Sequence, residues 1–105
     1  MKLNFEHTHK RGINLNHLGI KAYAYSSSVI LDLLAIVKAN NLTILGGDVF
    51  CYKNGQLTHT YDNWYYEKQN FTRDCSKSIH QTEKYISNYV KNHGEGYYFS
   101  IVLDK

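Results

Sequence analysis

The chain reads as an α+β domain: a mostly antiparallel sheet of about four strands with two helices packed on one face, in the order β-α-β-β-α-β. Three observations predict it. Residues 29–39 and 73–92 carry apolar side chains at helical spacing. Four other stretches, 20–25, 42–53, the residues from 56 onward, and 97–103, are β-prone. Between the second and third stands Asn54-Gly55, the strongest short hairpin signal. One sheet layer with helices over a face is the packing this order favours. The order invites a ferredoxin-like connection. That connection puts the last strand at an edge, and residues 97–103 (Y-Y-F-S-I-V-L) are too apolar for one.

Residues 1–105 make a single domain, with 1–19 a less regular N-terminal segment. His7, His9 and His17 lie in that segment, too few ligands for a metal site; residues 1–16 are expected to pack loosely. Residues 20–25 alternate, with Ile20, Ala22 and Ala24 on one face of a short strand. Ser26, Ser27 and Ser28 supply helix caps. In the helix that follows, Ile30, Leu33, Leu34 and Val37 build one stripe, widened by Val29, Leu31 and Ile36. Asn40-Asn41 ends it.

The strand at 42–53 contains T-I-L-G-G-D-V-F. Paired glycines inside a strand mark a bulge or a close backbone approach. A two-residue type I′ turn at Asn54-Gly55 sets the register: Lys53 faces Gln56, Tyr52 Leu57, Cys51 Thr58, Phe50 His59, Val49 Thr60, and Asp48 Tyr61. Phe50, Tyr52 and Leu57 then join a core, and Asp48, His59 and Tyr61 form a polar corner. From that corner leaves an aromatic loop, Tyr61-Asp62-Asn63-Trp64-Tyr65-Tyr66-Glu67. Thr72 caps the second helix, whose inner face is Cys75, Ile79, Thr82, Ile86, Tyr89 and Val90; Gly94 ends it.

The totals exclude several functions. The charge of +3 over 105 residues is too mild for a nucleic-acid binder. Two cysteines make no framework and are expected reduced. The first residues hold no secretory signal and no run is long enough to span a membrane, so the expected location is the cytoplasm. No cofactor motif occurs, and no cofactor or metal is expected. Asp48, His59 and Asp62 form the one acid-and-histidine cluster that the register assembles. A small hydrolase or metal-dependent enzyme would use His59 as a base oriented by Asp48, but a nucleophile is missing, because Cys51 points to the other side of the hairpin. The bland role for Asp48 is to accept hydrogen bonds that pin the 62–64 loop. The aromatic loop suits a protein partner, since Trp and Tyr combine large area with a polar handle. Trp64 folding back into the core is the competing reading for that residue.

The segments I-L-G-G-D-V (44–49), Y-D-N-W (61–64) and S-x-x-x-x-x-x-Y-I (78–86) resemble a family of bacterial polymorphic-toxin immunity proteins, the one numbered forty, from about Gly19 to Leu103. The resemblance implies a small α+β protein that binds a cognate toxin inside the producing cell and neutralises it as a stoichiometric complex, without catalysis. Free, it would be a monomer or homodimer. By position the motif residues are Gly46, Gly47, Asp48, Tyr61, Asp62, Asn63 and Trp64. The expected partner-binding residues are Asp48, His59, Tyr61, Asp62, Asn63, Trp64, Tyr65, Tyr66 and Glu67, with Gly46 and Gly47 structural. A slightly basic chain departs from the acidic, nucleic-acid-mimicking immunity proteins.

Overall fold

The computed structural model describes residues 12–66 and 75–104. Its strands are β1 (Ile13–Asn14), β2 (Tyr23–Ser26), β3 (Thr43–Lys53), β4 (Gln56–Tyr65) and β5 (Tyr97–Asp104), and its helices α1 (Ser27–Ala39) and α2 (Cys75–His93). The strands form one antiparallel sheet in the order β1-β2-β5-β3-β4. The class is the α+β fold expected, with β1 as a fifth strand. β5 lies between β2 and β3, the interior position its apolar sequence requires, which excludes the ferredoxin-like order.

α1 begins where Ser26 accepts the Val29 N–H at 3.4 Å, two residues earlier than the apolar spacing suggests. It ends at Asn40, followed by Asn41 in the left-handed region at φ 56°. Its buried stripe is Ile30, Leu33, Leu34, Ile36 and Val37; Leu31, expected to widen it, stays exposed. α2 turns Ser78, Ile79, Thr82, Ile86 and Tyr89 inward, and the Gly94 N–H closes on the Val90 carbonyl. The expected start at 73 and cap at Thr72 lie outside the described residues.

The two faces of the sheet are covered differently. Val49, Trp64, Phe99 and Tyr25 pack under Ile30, Leu33 and Ile36 of α1 and Ile86 and Tyr89 of α2. The opposite face carries no α-helix among the described residues, only the single 3-10 turn Asn16–Leu18. There Leu15, Ala24, Phe50 and Leu57 form a second cluster, closed by Ile13, Leu18, Ile20 and Ala22. Leu15 is fully buried, and the His17 imidazole donates Nε2–H to the Leu57 carbonyl at 2.7 Å. Residues 13–22 are thus a lid on the sheet, which corrects the expectation of loose packing for this part of the N-terminal segment. Burying a side chain such as Leu15 is worth roughly 1.5–3 kcal/mol, and Ile13, Leu18 and Ile20 packed beside it add to that against the backbone entropy of ordering the segment. Tyr52, expected in this core, is 51% exposed at the hairpin tip.

Candidate partner-binding site

The hairpin follows its expected register from the turn inward. Asn54 and Gly55 both have positive φ, 55° and 78°, the type I′ geometry. Lys53 faces Gln56, Tyr52 Leu57, Cys51 Thr58 and Phe50 His59. Then the ladder breaks. The next pair is Asp48 with Asn63, so Val49 alone on β3 stands against Thr60, Tyr61 and Asp62 on β4. The expected pairs Val49–Thr60 and Asp48–Tyr61 do not form. The Thr60 hydroxyl fills the gap, donating to the Val49 carbonyl at 3.0 Å and accepting the Asp62 N–H at 3.1 Å. Tyr61 takes φ 70° and leaves the sheet 85% exposed.

Past the bulge β4 resumes, so most of the expected loop at 61–67 is strand. The bulge also decides which way Trp64 faces. It is only 7% exposed, stacks on Tyr85 at 4.6 Å and donates Nε1–H to the Thr82 hydroxyl at 3.2 Å. Trp64 is a core residue, not an exposed docking residue. Gly47 lies opposite it, and a Cβ there would run into the Trp64 ring and the Ser100 carbonyl. Gly46, at φ 153°, would drive a Cβ into the Trp64 carbonyl; beside it Leu45 is an extra residue against β5. Ser78, buried on α2, receives the Ile44 N–H at 3.0 Å next to this second bulge and donates to the Cys75 carbonyl. Gly46, Gly47, Trp64, Ser78 and Tyr85 of the motifs, with Thr82, therefore build one joint: a doubly bulged hairpin packed against α2.

Asp48 and Asp62 part company. Asp62 points to the helix side, where the Tyr89 hydroxyl donates to its Oδ2 at 2.7 Å. Burial first, and this bond second, push the Tyr89 phenol up to about 12. Burial likewise raises Tyr25 to about 12. A groove of about 450 Å³ opens here, lined by Cys51, Thr58, His59, Tyr61, Asp62, Tyr89, His93 and Tyr97 among others. Asp48 is not in its wall. It lies on the face away from the helices, half-buried, its carboxylate bonded to no other described residue, so the pinning role expected of it falls to Asp62. His59 sits between Phe50, at 4.6 Å between ring centres, and Tyr61, at 5.8 Å. The predicted triad Asp48–His59–Asp62 does not converge, and no described group of three His, Cys, Asp or Glu side chains could hold a metal.

Of the expected contact residues, Tyr61, Asp62, Asn63 and Tyr65 are exposed, and Asp48, His59 and Tyr66 partly so. Glu67 lies outside the described residues. Tyr65 enters the expected set only through its membership of the aromatic run. His93 and Tyr89, which complete the groove, were missed because they come from the far end of α2. No helix among the described residues is long and apolar enough to cross a membrane.

The model of a family described as immunity protein 40 matches residues 14–103, a span that takes in Leu15 and all of the lid but Ile13, as well as both bulges. No curated protein and no solved structure matches the chain.

Proposed function

This chain belongs to the immunity protein 40 family, and from that premise we propose that it binds a toxin protein in the cytoplasm of the cell that makes both, and silences it as a one-to-one complex. Family membership over residues 14–103 carries the reading. The bulged end of the hairpin supports it. Tyr61 is 85% and Tyr65 66% exposed, and Asp62 and Asn63 stand between them. Exposed tyrosines on a rigid strand offer contact area at low entropic cost. The docking surface is assigned to Asp48, His59, Tyr61, Asp62, Asn63, Tyr65 and Tyr66. Trp64 supports that surface from beneath. No catalytic role is proposed, since Asp48 and Asp62 stand on opposite faces of the sheet.

Co-expression tests the reading. Cells expressing the toxin domain encoded by the adjoining gene are expected to die, and cells that also express this chain to survive. The two purified proteins are expected to elute together with the mass of a one-to-one complex. Death in the presence of well-folded, abundant chain would overturn it.

A further inference from the structure

We propose that the outer edge of β4 is closed to strand addition, the bulge dividing it and the His17 and Gln81 side chains capping its two halves, so that copies of this chain do not pair there. This closure is independent of the toxin reading. β4 is the last strand of the sheet, and no described residue pairs with its outer side. A ten-residue edge strand without Lys, Arg or Pro is otherwise a ready template for a strand of a second copy.

The register determines which backbone groups face outward. Beside a two-residue turn Lys53 and Gln56 exchange backbone bonds, and bonded pairs then alternate with unbonded ones. Cys51 and Thr58 are therefore bonded. Leu57 and His59, opposite Tyr52 and Phe50, turn their N–H and C=O groups outward. Beyond the bulge the Tyr66 N–H donates to the Leu45 carbonyl at 2.9 Å. Tyr66 thus faces β3, and by alternation Tyr65 and Asn63 face outward.

Each half of the edge therefore presents two residues to an incoming strand, and in each half the carbonyl at the far end is already taken. His17, from the lid, donates Nε2–H to the Leu57 carbonyl at 2.7 Å. Gln81, from α2 on the other face, donates Nε2–H to the Tyr65 carbonyl at 3.2 Å. Both caps are exposed, where water would satisfy the same carbonyls, so they add little to stability and chiefly occlude the edge. Between the halves Tyr61, at φ 70°, breaks the row. The outward groups on either side of it are out of step with one straight strand.

Hydrogen exchange of the full chain at rising concentration, read beside sedimentation velocity, tests the closure. Wild type is expected to show one exchange rate at the His59 amide at every concentration. In His17→Ala with Gln81→Ala, that rate is expected to fall as concentration rises, while the mean mass climbs from one copy towards two. His59→Pro added to the pair removes an outward N–H and no ladder bond, and is expected to restore the monomer; His59→Ala in its place is not. Thermal melts check that each variant folds. Should loss of His17 loosen the lid, Gln81→Ala alone is expected to show the same slowing at the Asn63 amide, in the other half of the edge. Slowing at His59 in the wild type would overturn the proposal, because the edge would then be open. Exchange independent of concentration in folded variants lacking the caps would overturn it as well, because the caps would then exclude nothing.

Discussion

At the Asn54-Gly55 end of the β3–β4 hairpin, side chains pair one for one; at the Gly46–Asp48 end, three residues of β4 stand against Val49 alone. The first end needs nothing but its turn. Two positive φ angles match the twist of the strands, and the register follows. The second end needs tertiary partners: the Thr60 hydroxyl to bridge the gap, Ser78 to receive the Ile44 N–H, and α2 to receive the Trp64 ring. The difference explains where the exposed aromatics sit. A bulge turns Tyr61 outward and Trp64 inward, so one short segment supplies both an exposed ring and the anchor that holds it rigid.

The comparison breaks most visibly at Trp64. Trp64→Ala removes the stack on Tyr85 and the bond to Thr82, and should cost about 3–5 kcal/mol, a large share of the stability of a domain this size. Denaturant unfolding should show the midpoint falling sharply, with toxin protection lost through unfolding rather than through a missing contact. A variant that stays as stable as wild type would return Trp64 to the docking surface. Gly47→Ala attacks the same joint from the other side. Its methyl meets the Ser100 carbonyl and the Trp64 ring, and neither strand can retreat without breaking the ladder. A loss of about 1–3 kcal/mol is expected by equilibrium unfolding.

Legibility in the sequence divides along the same line. α1, α2, β3 and β5, with the first four hairpin pairs, follow from local signals: an apolar stripe, a capping serine, a turn dipeptide. The interior place of β5 follows from composition. The bulges do not follow, although the Gly46-Gly47 step announced that something irregular happens there. Where a register slips depends on which side chain the neighbouring helix will accept, and that is a tertiary fact. The slip of two residues between His59 and Asn63 dismantled the Asp48–His59–Asp62 cluster, which had rested on extending a rule past its range. The lid was hidden for another reason. Leu15 is a single buried leucine between Asn14 and Asn16, without the periodicity by which a regular element shows itself.

Smaller effects sharpen the contrast. Ser78→Ala leaves the buried Ile44 N–H without its acceptor and should cost about 1–3 kcal/mol. Hydrogen exchange at Ile44 should accelerate more than at Tyr52, at the opposite end of β3. Gly55→Ala places a Cβ at φ 78° and should cost about 1 kcal/mol. Because the tip is remote from the bulge, toxin affinity should be unchanged in Gly55→Ala; a parallel loss of affinity would mean that the two ends are not independent.

The smallest effect at neutral pH belongs to Tyr89. Its hydroxyl ties α2 to the outer rim of the bulge through Asp62, but Asp62 is exposed and solvent competes for the bond. Tyr89→Phe should therefore cost no more than about 1 kcal/mol at pH 7. Alkaline titration reads the raised phenol itself, which burial shifts first and this bond second. In the unfolded chain Tyr89 ionises near pH 10; in the folded protein it holds its proton to about 12. Between those values the folded state binds more protons than the unfolded one, so stability falls as pH rises, with the full contribution present below pH 10. Phenylalanine has no proton to lose. The deficit of Tyr89→Phe relative to wild type should thus shrink above pH 10, measured as urea midpoints across pH 8 to 11. A deficit constant with pH would mean that the Tyr89 phenol titrates normally and that Asp62 does not hold its hydroxyl in solution.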